Sequence, residues 1–237
     1  MEKATDVGCS TSRVLAAAIA LSFVLCSPAP AQPDSGAARN AGAKKQVDRA
    51  YRSSELVELI RLDSTIRLDI RYASANNFMK RPMYAQARAF LQRPAAAALV
   101  RAHRALRSRG LGLMVFDGYR PWAVTKKFWD ETPPSKRQFV ADPQKGSKHN
   151  RGCAVDLTLF DLKTGREIVM PSPYDNFTEK ASSTYPGGTD EERRMRGLLR
   201  SVMEAEGFSV EPGEWWHFDY SQWRNHGILD IPFEKLN

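Results

Sequence analysis

The chain has 237 residues, of which 42% are hydrophobic and 26% are charged. This composition is typical of a soluble globular protein, and the length suits one domain with a substantial core. It does not fit a largely disordered chain.

The formal net charge is +8. A charge of this sign is compatible with nucleic-acid binding. The aromatic residues, however, are not interleaved with basic residues in a binding pattern, so we expect no nucleic-acid partner. Attraction to an anionic cell envelope is the simpler consequence of the charge.

The N-terminus has the pattern of a secretory signal peptide. Arg13 precedes an apolar run at residues 14–26, and Ala29-Pro30-Ala31 supplies the small residues of a cleavage site. We therefore predict a signal peptide at residues 1–31 and an exported protein of the periplasm or cell envelope. The apolar run is too short to span a bilayer comfortably, so we expect no stable membrane insertion after cleavage.

The cysteines add little to this interpretation. A lipid attached to Cys26 is the less favoured alternative, because Leu25 is bulky where such processing prefers a small residue. Cleavage at the predicted position would leave Cys153 alone, so the exported protein would have no internal disulfide.

Residues 32–50 are rich in Ala, Gly, Asp, Lys and Gln and predict a flexible leader. A folded domain is expected at residues 51–237. Its first apolar runs, at residues 56–62 and 66–72, predict two short strands.

The next elements are predicted from periodicity and from Gly and Pro. Residues 93–109 predict a helix that Gly110 ends, with basic residues in its last turn. A buried strand is expected at 111–116, followed by a turn at 117–121 and a short helix at 122–131.

A loop at residues 147–152 leads into a predicted strand at 153–160. Asp156 lies on one face of that strand with Ala154 and Thr158. Residues 161–165 then predict a hairpin turn into residues 166–169.

The C-terminal part of the chain begins with a capping box at residues 189–192, which predicts a helix to about Glu206. Residues 208–210 and 215–220 predict the final pair of strands. Helices and hairpin-connected strands are mixed along the chain. We therefore expect an α+β single domain with a central, mostly antiparallel sheet flanked by helices.

Two of the four histidines lie among other reactive groups. His149 precedes Asp156 by seven residues, and Gly152 allows a sharp turn between them. A carboxylate that is buried without a partner on an apolar strand destabilises the folded state by roughly several kcal/mol. A salt bridge to an arginine would offset that cost. With His149 so close, a divalent metal is the favoured explanation.

The second motif is Glu214-Trp215-Trp216-His217. Together with His149 and Asp156, His217 completes a three-ligand zinc site with an open fourth position. Glu214 is then placed to act on metal-activated water, which predicts a zinc peptidase with one zinc per chain. Residues three apart on a regular strand point to opposite faces, so this prediction requires a bulge or turn near Pro212-Gly213.

The turn at residues 117–121 contributes a candidate cation. Arg120 follows the end of a predicted strand, from where it can project into a site and stabilise a developing oxyanion. A structural salt bridge with Asp117 is an equally good explanation from the residues alone. His103 lies within the Arg-rich predicted helix and is assigned to a surface or packing position, and His226 lies beside Gly227 in a terminal loop.

Several motifs in order resemble those of the D-alanyl-D-alanine dipeptidases, zinc peptidases of the vancomycin-resistance VanX type with a hedgehog/D,D-peptidase fold. The motifs that carry this resemblance are Ser147-x-His149-x-x-Gly152-x-Ala154-Val155-Asp156, Asp117-Gly118-Tyr119-Arg120-Pro121 and Glu214-Trp215-Trp216-His217. Further matches are Arg71-Tyr72-Ala73, Asn77-Phe78, Met170 through Asp175 and Glu179-Lys180. The resemblance runs from about residue 55 to about residue 235.

The resemblance implies a role for each of these residues. It makes His149, Asp156 and His217 the zinc ligands, Glu214 the general base and acid, and Arg120 the stabiliser of the tetrahedral intermediate. It also implies that Tyr72, Ser147 and Asp175 line the dipeptide pocket, where Asp175 would bind the substrate ammonium.

Hydrolysis of the small dipeptide D-Ala-D-Ala is the leading prediction for residues 51–237. A D,D-carboxypeptidase that trims peptidoglycan stem peptides is the alternative within the enzymes. A non-catalytic zinc-containing binding module is the alternative from another class. Retention of Glu214 and Arg120 beside the ligands argues against that module, because a binder needs neither residue.

Overall fold

The computed structural model describes residues 51–237. The signal peptide predicted at residues 1–31 and the leader predicted at residues 32–50 lie outside the described residues. Residues 51–237 belong to one compact unit, as expected for a single domain.

Four α-helices and seven strands make up the described part of the chain. The helices are α1 (Leu59–Leu62), α2 (Arg93–Leu106), α3 (Trp122–Glu131) and α4 (Asp190–Ala205). The strands are β1 (Leu56–Glu58), β2 (Arg67–Leu68), β3 (Phe90–Gln92), β4 (Leu111–Asp117), β5 (Ala154–Asp161), β6 (Phe208–Glu211) and β7 (Glu214–Tyr220).

The strands form a main sheet of five strands in the order β2-β4-β5-β7-β6 and a small sheet of β1 and β3. Only the β2–β4 pair of the main sheet is parallel, and the other three pairs are antiparallel. The parallel pair requires a long crossover, which α2 provides. The predicted α+β class and the mostly antiparallel sheet are confirmed.

The centre of the main sheet is apolar because β4 and β5 are continuous hydrophobic runs. All but the last residue of β5 is buried, and Leu113, Val115, Leu157 and Leu159 are fully buried. Strands buried on both faces read as unbroken apolar segments, as seen here. The two strands therefore form the buried centre of the domain, on which the residues of the candidate site are positioned.

Two helices were predicted with their termini. The helix α2 has Pro94 in its first turn, continues as a 3-10 turn to Arg109, and ends at Gly110, which has a φ of 72°. The predicted capping box opens α4: Thr189 accepts from the Glu192 N–H, and the Glu192 carboxylate accepts from the Thr189 N–H.

The two strands predicted at residues 56–62 and 66–72 are largely wrong. The first run is a strand only at Leu56–Glu58 and then turns into α1. The second pairs only at Arg67–Leu68 and then forms a 3-10 turn at Arg71–Ala73. Short apolar runs fit a strand and a helical turn equally well, so periodicity alone could not separate them.

The hairpin predicted at residues 161–169 is only partly formed. The turn at 161–165 is present, but the returning segment makes a single bridge, between Phe160 and Glu167. Within residues 51–237, no helix is both long and apolar enough to cross a membrane.

Candidate active site

Three chemically active side chains lie side by side across the main sheet. The register places Asp117 of β4 opposite Asp156 of β5, and Asp156 opposite His217 of β7. Neighbouring strands lie about 5 Å apart, so paired residues on one face are in contact distance. Asp117, Asp156 and His217, which are far apart in the sequence, therefore lie next to one another at the base of the site.

His149 completes the set from the loop before β5. Its Nε2 lies 3.3 Å from Asp156 Oδ1 and 3.1 Å from His217 Nδ1, and His217 Nδ1 lies 3.0 Å from the same carboxylate oxygen. The three residues are buried and form a cluster of potential metal ligands. The structure thus brings together the three residues predicted as ligands.

The spacing of these atoms fits a divalent metal. Ligand atoms at about 2.0–2.1 Å from a tetrahedral zinc are roughly 3.3 Å from one another. The three distances between the ligand atoms of His149, Asp156 and His217 are 3.0–3.3 Å. Two imidazoles and one carboxylate form the donor set of a hydrolytic metal site with room for a fourth ligand.

The ring of His149 is held by backbone groups. Its Nδ1 donates to the Gly118 carbonyl at 2.7 Å, which leaves Nε2 as the ligand atom. A residue with a side chain does not fit at position 118, because the Cβ would lie 2.8 Å from the Phe90 carbonyl oxygen, so Gly118 is required there. Gly152, with a φ of 65°, makes the sharp turn into β5 that the sequence predicted.

Asp219 orients the other imidazole and was missed in the sequence. His217 Nε2 donates to Asp219 Oδ1 at 2.9 Å, which directs Nδ1 at the metal position. Lys148 Nζ lies 2.9 Å from Asp219 Oδ2 and supplies the counter-charge. Strand parity could have found Asp219, because it lies two residues after His217 and on the same face.

Asp156 is fixed through its second oxygen. Tyr174 donates to Asp156 Oδ2 at 3.0 Å, while Oδ1 faces the imidazoles. Burial opposes ionisation of this carboxyl, but His149 and His217 hold the pKa of Asp156 well below its usual range. Asp156 is therefore poised as an anionic ligand.

Glu214 reaches the site because the β6–β7 ladder is irregular. Val210 of β6 pairs with Phe218 of β7, and the next residue of β6, Glu211, pairs with Glu214. Residues 215–217 of β7 therefore have no partner in the β6 register. Glu214 Oε2 consequently lies 3.8 Å from His217 Nδ1. Burial raises the pKa of the Glu214 carboxyl above its ordinary value.

The salt bridge offered as one explanation for Arg120 is present, and the residue also lies on the cleft. Its Nε and Nη2 donate to Asp117 Oδ2 at 3.0 and 2.7 Å, and its side chain also lines the cleft at the metal ligands. Burial opposes the charge of Arg120, but Asp117 raises the pKa of the guanidinium above its ordinary value. Tyr84 and the Gly118 N–H donate to the other oxygen of Asp117.

The three predicted substrate-binding residues lie on the same cleft. Asp175 accepts from the Tyr72 hydroxyl at 3.2 Å and from the Phe78 N–H at 3.3 Å. It has a φ of 56°, a strained backbone conformation that recurs at functional sites. Burial, with the charge of Asp156 added, raises the pKa of Asp175 to about 7. Ser147 accepts from the His149 N–H.

One cleft of about 460 Å³ unites the predicted residues. Its lining includes Tyr72, Arg120, Ser147, His149, Asp156, Asp175, Glu214 and His217. The Trp215 and Trp216 side chains are buried, and Trp216 forms part of the cleft wall.

The remaining histidines and the cysteine lie apart from the ligand cluster. His103 is a fully buried packing residue, and His226 is buried in the C-terminal segment. Cys153 is buried and is not among the converging ligands.

A cluster of potential metal ligands, a neighbouring carboxylate and a buried guanidinium around one cleft form an arrangement that suits a metallopeptidase. Comparison with known proteins agrees. The family Peptidase_M15, described as D-ala-D-ala dipeptidase, matches residues 52–232. The chain therefore belongs to this family of metallopeptidases.

Individual relatives are similar over most of their length. D-alanyl-D-alanine dipeptidase of Escherichia coli (strain K12) is 33% identical over 181 residues, 76% of this chain and 92% of the relative. D-alanyl-D-alanine dipeptidase of Enterococcus faecium is 33% identical over 174 residues, 65% of this chain and 85% of the relative. Among solved structures, a mutant of the vancomycin resistance D,D-pentapeptidase VanY in complex with Zn(II) is 18% identical. The TM-score is 0.36, with 56% of this chain and 74% of that chain covered.

Proposed function

We propose that this protein hydrolyses the dipeptide D-Ala-D-Ala to two molecules of D-alanine with one zinc ion per chain. The observation that carries the proposal is the convergence of His149, Asp156 and His217, with ligand atoms 3.0–3.3 Å apart, in the cleft that Glu214 also lines. Membership of a family described as D-ala-D-ala dipeptidase supports the substrate.

Two imidazoles and one carboxylate would hold the zinc ion. When bound, zinc supplies a Lewis acid that polarises the scissile carbonyl and lowers the pKa of water. Asp219 and Tyr174 keep the ligand atoms of His217 and Asp156 aimed at the ion. Zinc is preferred by such a donor set, although other divalent ions can occupy it.

Glu214 is the proton carrier of the proposed reaction. It accepts a proton from the attacking water and later delivers that proton to the leaving amine. Burial raises the pKa of Glu214, so its carboxylate is a stronger base than an exposed one and accepts the water proton more readily. The carboxyl formed in this way then returns the proton to the amine.

Arg120 stabilises the negative charge that develops on the carbonyl oxygen. Asp117 fixes the guanidinium through Nε and Nη2, so the group is oriented before the substrate arrives. A cation held in place costs no reorganisation during the reaction, which is the main source of this kind of stabilisation.

A free dipeptide carries an ammonium group, and Asp175 provides the anion for it. The ammonium would lower the raised pKa of Asp175 and favour its ionised form on binding. The Tyr72 hydroxyl holds the Asp175 carboxylate in place, and Ser147 offers a further hydrogen-bonding group at the cleft. This charge pair favours substrates with a free amine on the first residue and disfavours peptides that extend beyond that residue.

The decisive experiment measures release of D-alanine from D-Ala-D-Ala by the purified protein, with and without added zinc. We expect zinc-dependent release, and much slower turnover of an N-acetylated D-Ala-D-Ala that lacks the ammonium. Preference for the acetylated peptide would instead support a D,D-carboxypeptidase, and no release from either peptide would reject the proposal.

We further propose that the protein is exported through the signal peptide predicted at residues 1–31. Export would place a D-Ala-D-Ala hydrolase outside the cytoplasm, where cell-wall turnover or nutrient recovery would supply its substrate. N-terminal sequencing of the protein recovered from the cell envelope should begin at Gln32. A start at Met1 would refute the export proposal and leave the enzymatic one intact.

A further inference from the structure

An apolar wall lies on the cleft beside the polar site. We name it the aromatic shelf and define it as Phe78, Phe139 and Phe177. The rings of Phe139 and Phe177 are stacked, with centroids 4.9 Å apart and planes 6° apart, and Phe177 lies 5.2 Å from Phe78. All three side chains are only half-buried and line the cleft, so their apolar surface faces its interior.

The aromatic shelf begins at the two groups that would fix the substrate. Phe78 donates its backbone N–H to Asp175, the proposed ammonium anchor. The Phe78 ring also lies 5.1 Å from the ring of Phe128, over which the Arg120 guanidinium lies at 4.9 Å. The shelf therefore contacts the ammonium anchor directly and is linked to the oxyanion-stabilising cation through the ring of Phe128.

The covalent structure of a dipeptide decides which side chain meets this wall. In the first residue, the Cα bears the ammonium and is bonded directly to the scissile carbonyl carbon. With the ammonium at Asp175 and the carbonyl at Arg120, that Cα lies between the two anchors. The side chain of the first residue leaves from the same point, next to Phe78.

The methyl group of alanine would cover little of this wall. The cleft, at about 460 Å³, falls within the range of roughly 300–1,000 Å³ that holds ligands of drug size. Val140, Ala141 and Ala181 add further small apolar surface to its lining. Polar groups near the shelf come from Gln138 and Asn176, which line the same cleft.

We infer that the aromatic shelf is a subsite for a large apolar side chain on the first residue, so that the enzyme also hydrolyses D,D-dipeptides such as D-Phe-D-Ala and D-Leu-D-Ala. The inference rests on the proposed dipeptidase function and extends its substrate class. The reaction is the same: water adds across the peptide bond and releases the two free D-amino acids.

The test compares kcat/KM for D-Ala-D-Ala, D-Leu-D-Ala and D-Phe-D-Ala with the zinc-loaded enzyme. We expect the two larger substrates to match or exceed D-Ala-D-Ala, chiefly through a lower KM. In Phe139→Ala and Phe177→Ala, the ratio of kcat/KM for D-Phe-D-Ala to that for D-Ala-D-Ala should fall about tenfold, the lower range for lost apolar contacts in a pocket. Two variants on separate segments protect the test if one fails to fold.

The matched control is Leu162→Ala, which removes an exposed apolar side chain beyond the opposite end of β5 from Asp156. It should leave the substrate ratio unchanged. Turnover of D-Ala-D-Ala with less than a hundredth of that rate on both larger peptides would overturn the subsite and leave the dipeptidase standing. An unchanged ratio in both Phe variants would also overturn it. Failure to hydrolyse any of the three peptides would remove the proposed function itself.

Discussion

Glu214 and His217 lie three residues apart on β7, yet the Glu214 Oε2 and the His217 Nδ1 are 3.8 Å apart. A regular strand would direct the two side chains to opposite faces. The interrupted β6–β7 ladder removes this restriction, because Glu211 pairs with Glu214 directly after Val210 pairs with Phe218. Irregular strand pairing beside active sites commonly re-aims a side chain in this way.

Replacement of Glu214 should separate catalysis from metal binding. Glu214→Gln removes the proton acceptor but keeps a side chain of nearly the same shape, so kcat should fall about 10²–10⁴-fold. Zinc content should remain at one per chain, since Glu214 is not among the three converging ligands. Steady-state kinetics and metal analysis of the same preparation check both expectations.

The control for that variant is Glu211→Gln. Glu211 is a second glutamate on the same cleft, and its side chain contacts Lys148 rather than a metal ligand. This variant should keep most of its activity. A loss as large as that of Glu214→Gln would mean that the cleft needs negative charge in general, not a base at Glu214.

Asp219 should control the affinity of the metal site. In Asp219→Ala, the His217 ring loses its acceptor at Nε2, and the Lys148 ammonium loses its counter-charge. Loss of a group that orients a ligand typically weakens metal binding about 10–100-fold. Competition with a chromogenic chelator measures the zinc Kd. Asp130→Ala, on the exposed surface of α3, removes a carboxylate without touching a ligand and should bind zinc like the parent.

The geometry of Arg120 should matter as much as its charge. Arg120→Lys retains the cation but cannot bind Asp117 through two nitrogens and still present a donor to the oxyanion. We expect kcat to fall about 10²–10³-fold, as for loss of one oxyanion donor. Arg81→Lys, at a half-exposed arginine paired with Glu131, is the matched change and should have little effect. Equal activities of the two variants would contradict the assigned role.

The local half of the metal site was predictable from the sequence because its parts are close together. His149, Gly152 and Asp156 lie within eight residues, and a loop followed by an apolar strand restricts where they can point. His217 was identified by the chemistry of its neighbours. Its register opposite Asp156 depends on strand order in the sheet, which no local pattern encodes.

The residues that were missed come from long-range or irregular contacts. Tyr174 reaches Asp156 from a segment outside the helices and strands, and Phe139 stacks on Phe177 from a 3-10 turn. Neither position has a periodicity that could reveal its partner. The strand predicted at residues 66–72 shows the same limit. Ile66, Ile70 and Tyr72 are buried, as in a strand with one face on the core, but the ladder ends before Tyr72 turns into the site.

His103 should make the stability of the protein depend on pH far from the active site. Its Nδ1 accepts from the Leu113 N–H at 3.0 Å, so in the neutral ring Nε2 carries the proton and donates to Thr65 Oγ1 at 2.9 Å. Burial lowers the pKa of His103 below its ordinary value of 6.5; Asp63 opposes this shift, and Arg107 and Arg104 add to it.

The sign of the effect follows from the lowered pKa. The unfolded chain binds a proton at His103 more readily than the folded protein does, so protonation favours unfolding. The contribution is complete above pH 6.5 and is lost as the pH falls from 6.5 through the folded-state pKa. Its slope approaches about 1.4 kcal/mol per pH unit for one proton.

The measurement is the free energy of unfolding from urea titrations at several pH values, for the parent protein and for His103→Gln. Glutamine can accept from the Leu113 N–H but cannot be protonated in this range. The variant should therefore lose less stability than the parent between pH 6.5 and pH 5, although it is less stable at pH 8. Identical pH dependence in the two proteins would show that the folded state tolerates a charged His103. That result would contradict the assignment of its buried Nδ1 as a hydrogen-bond acceptor.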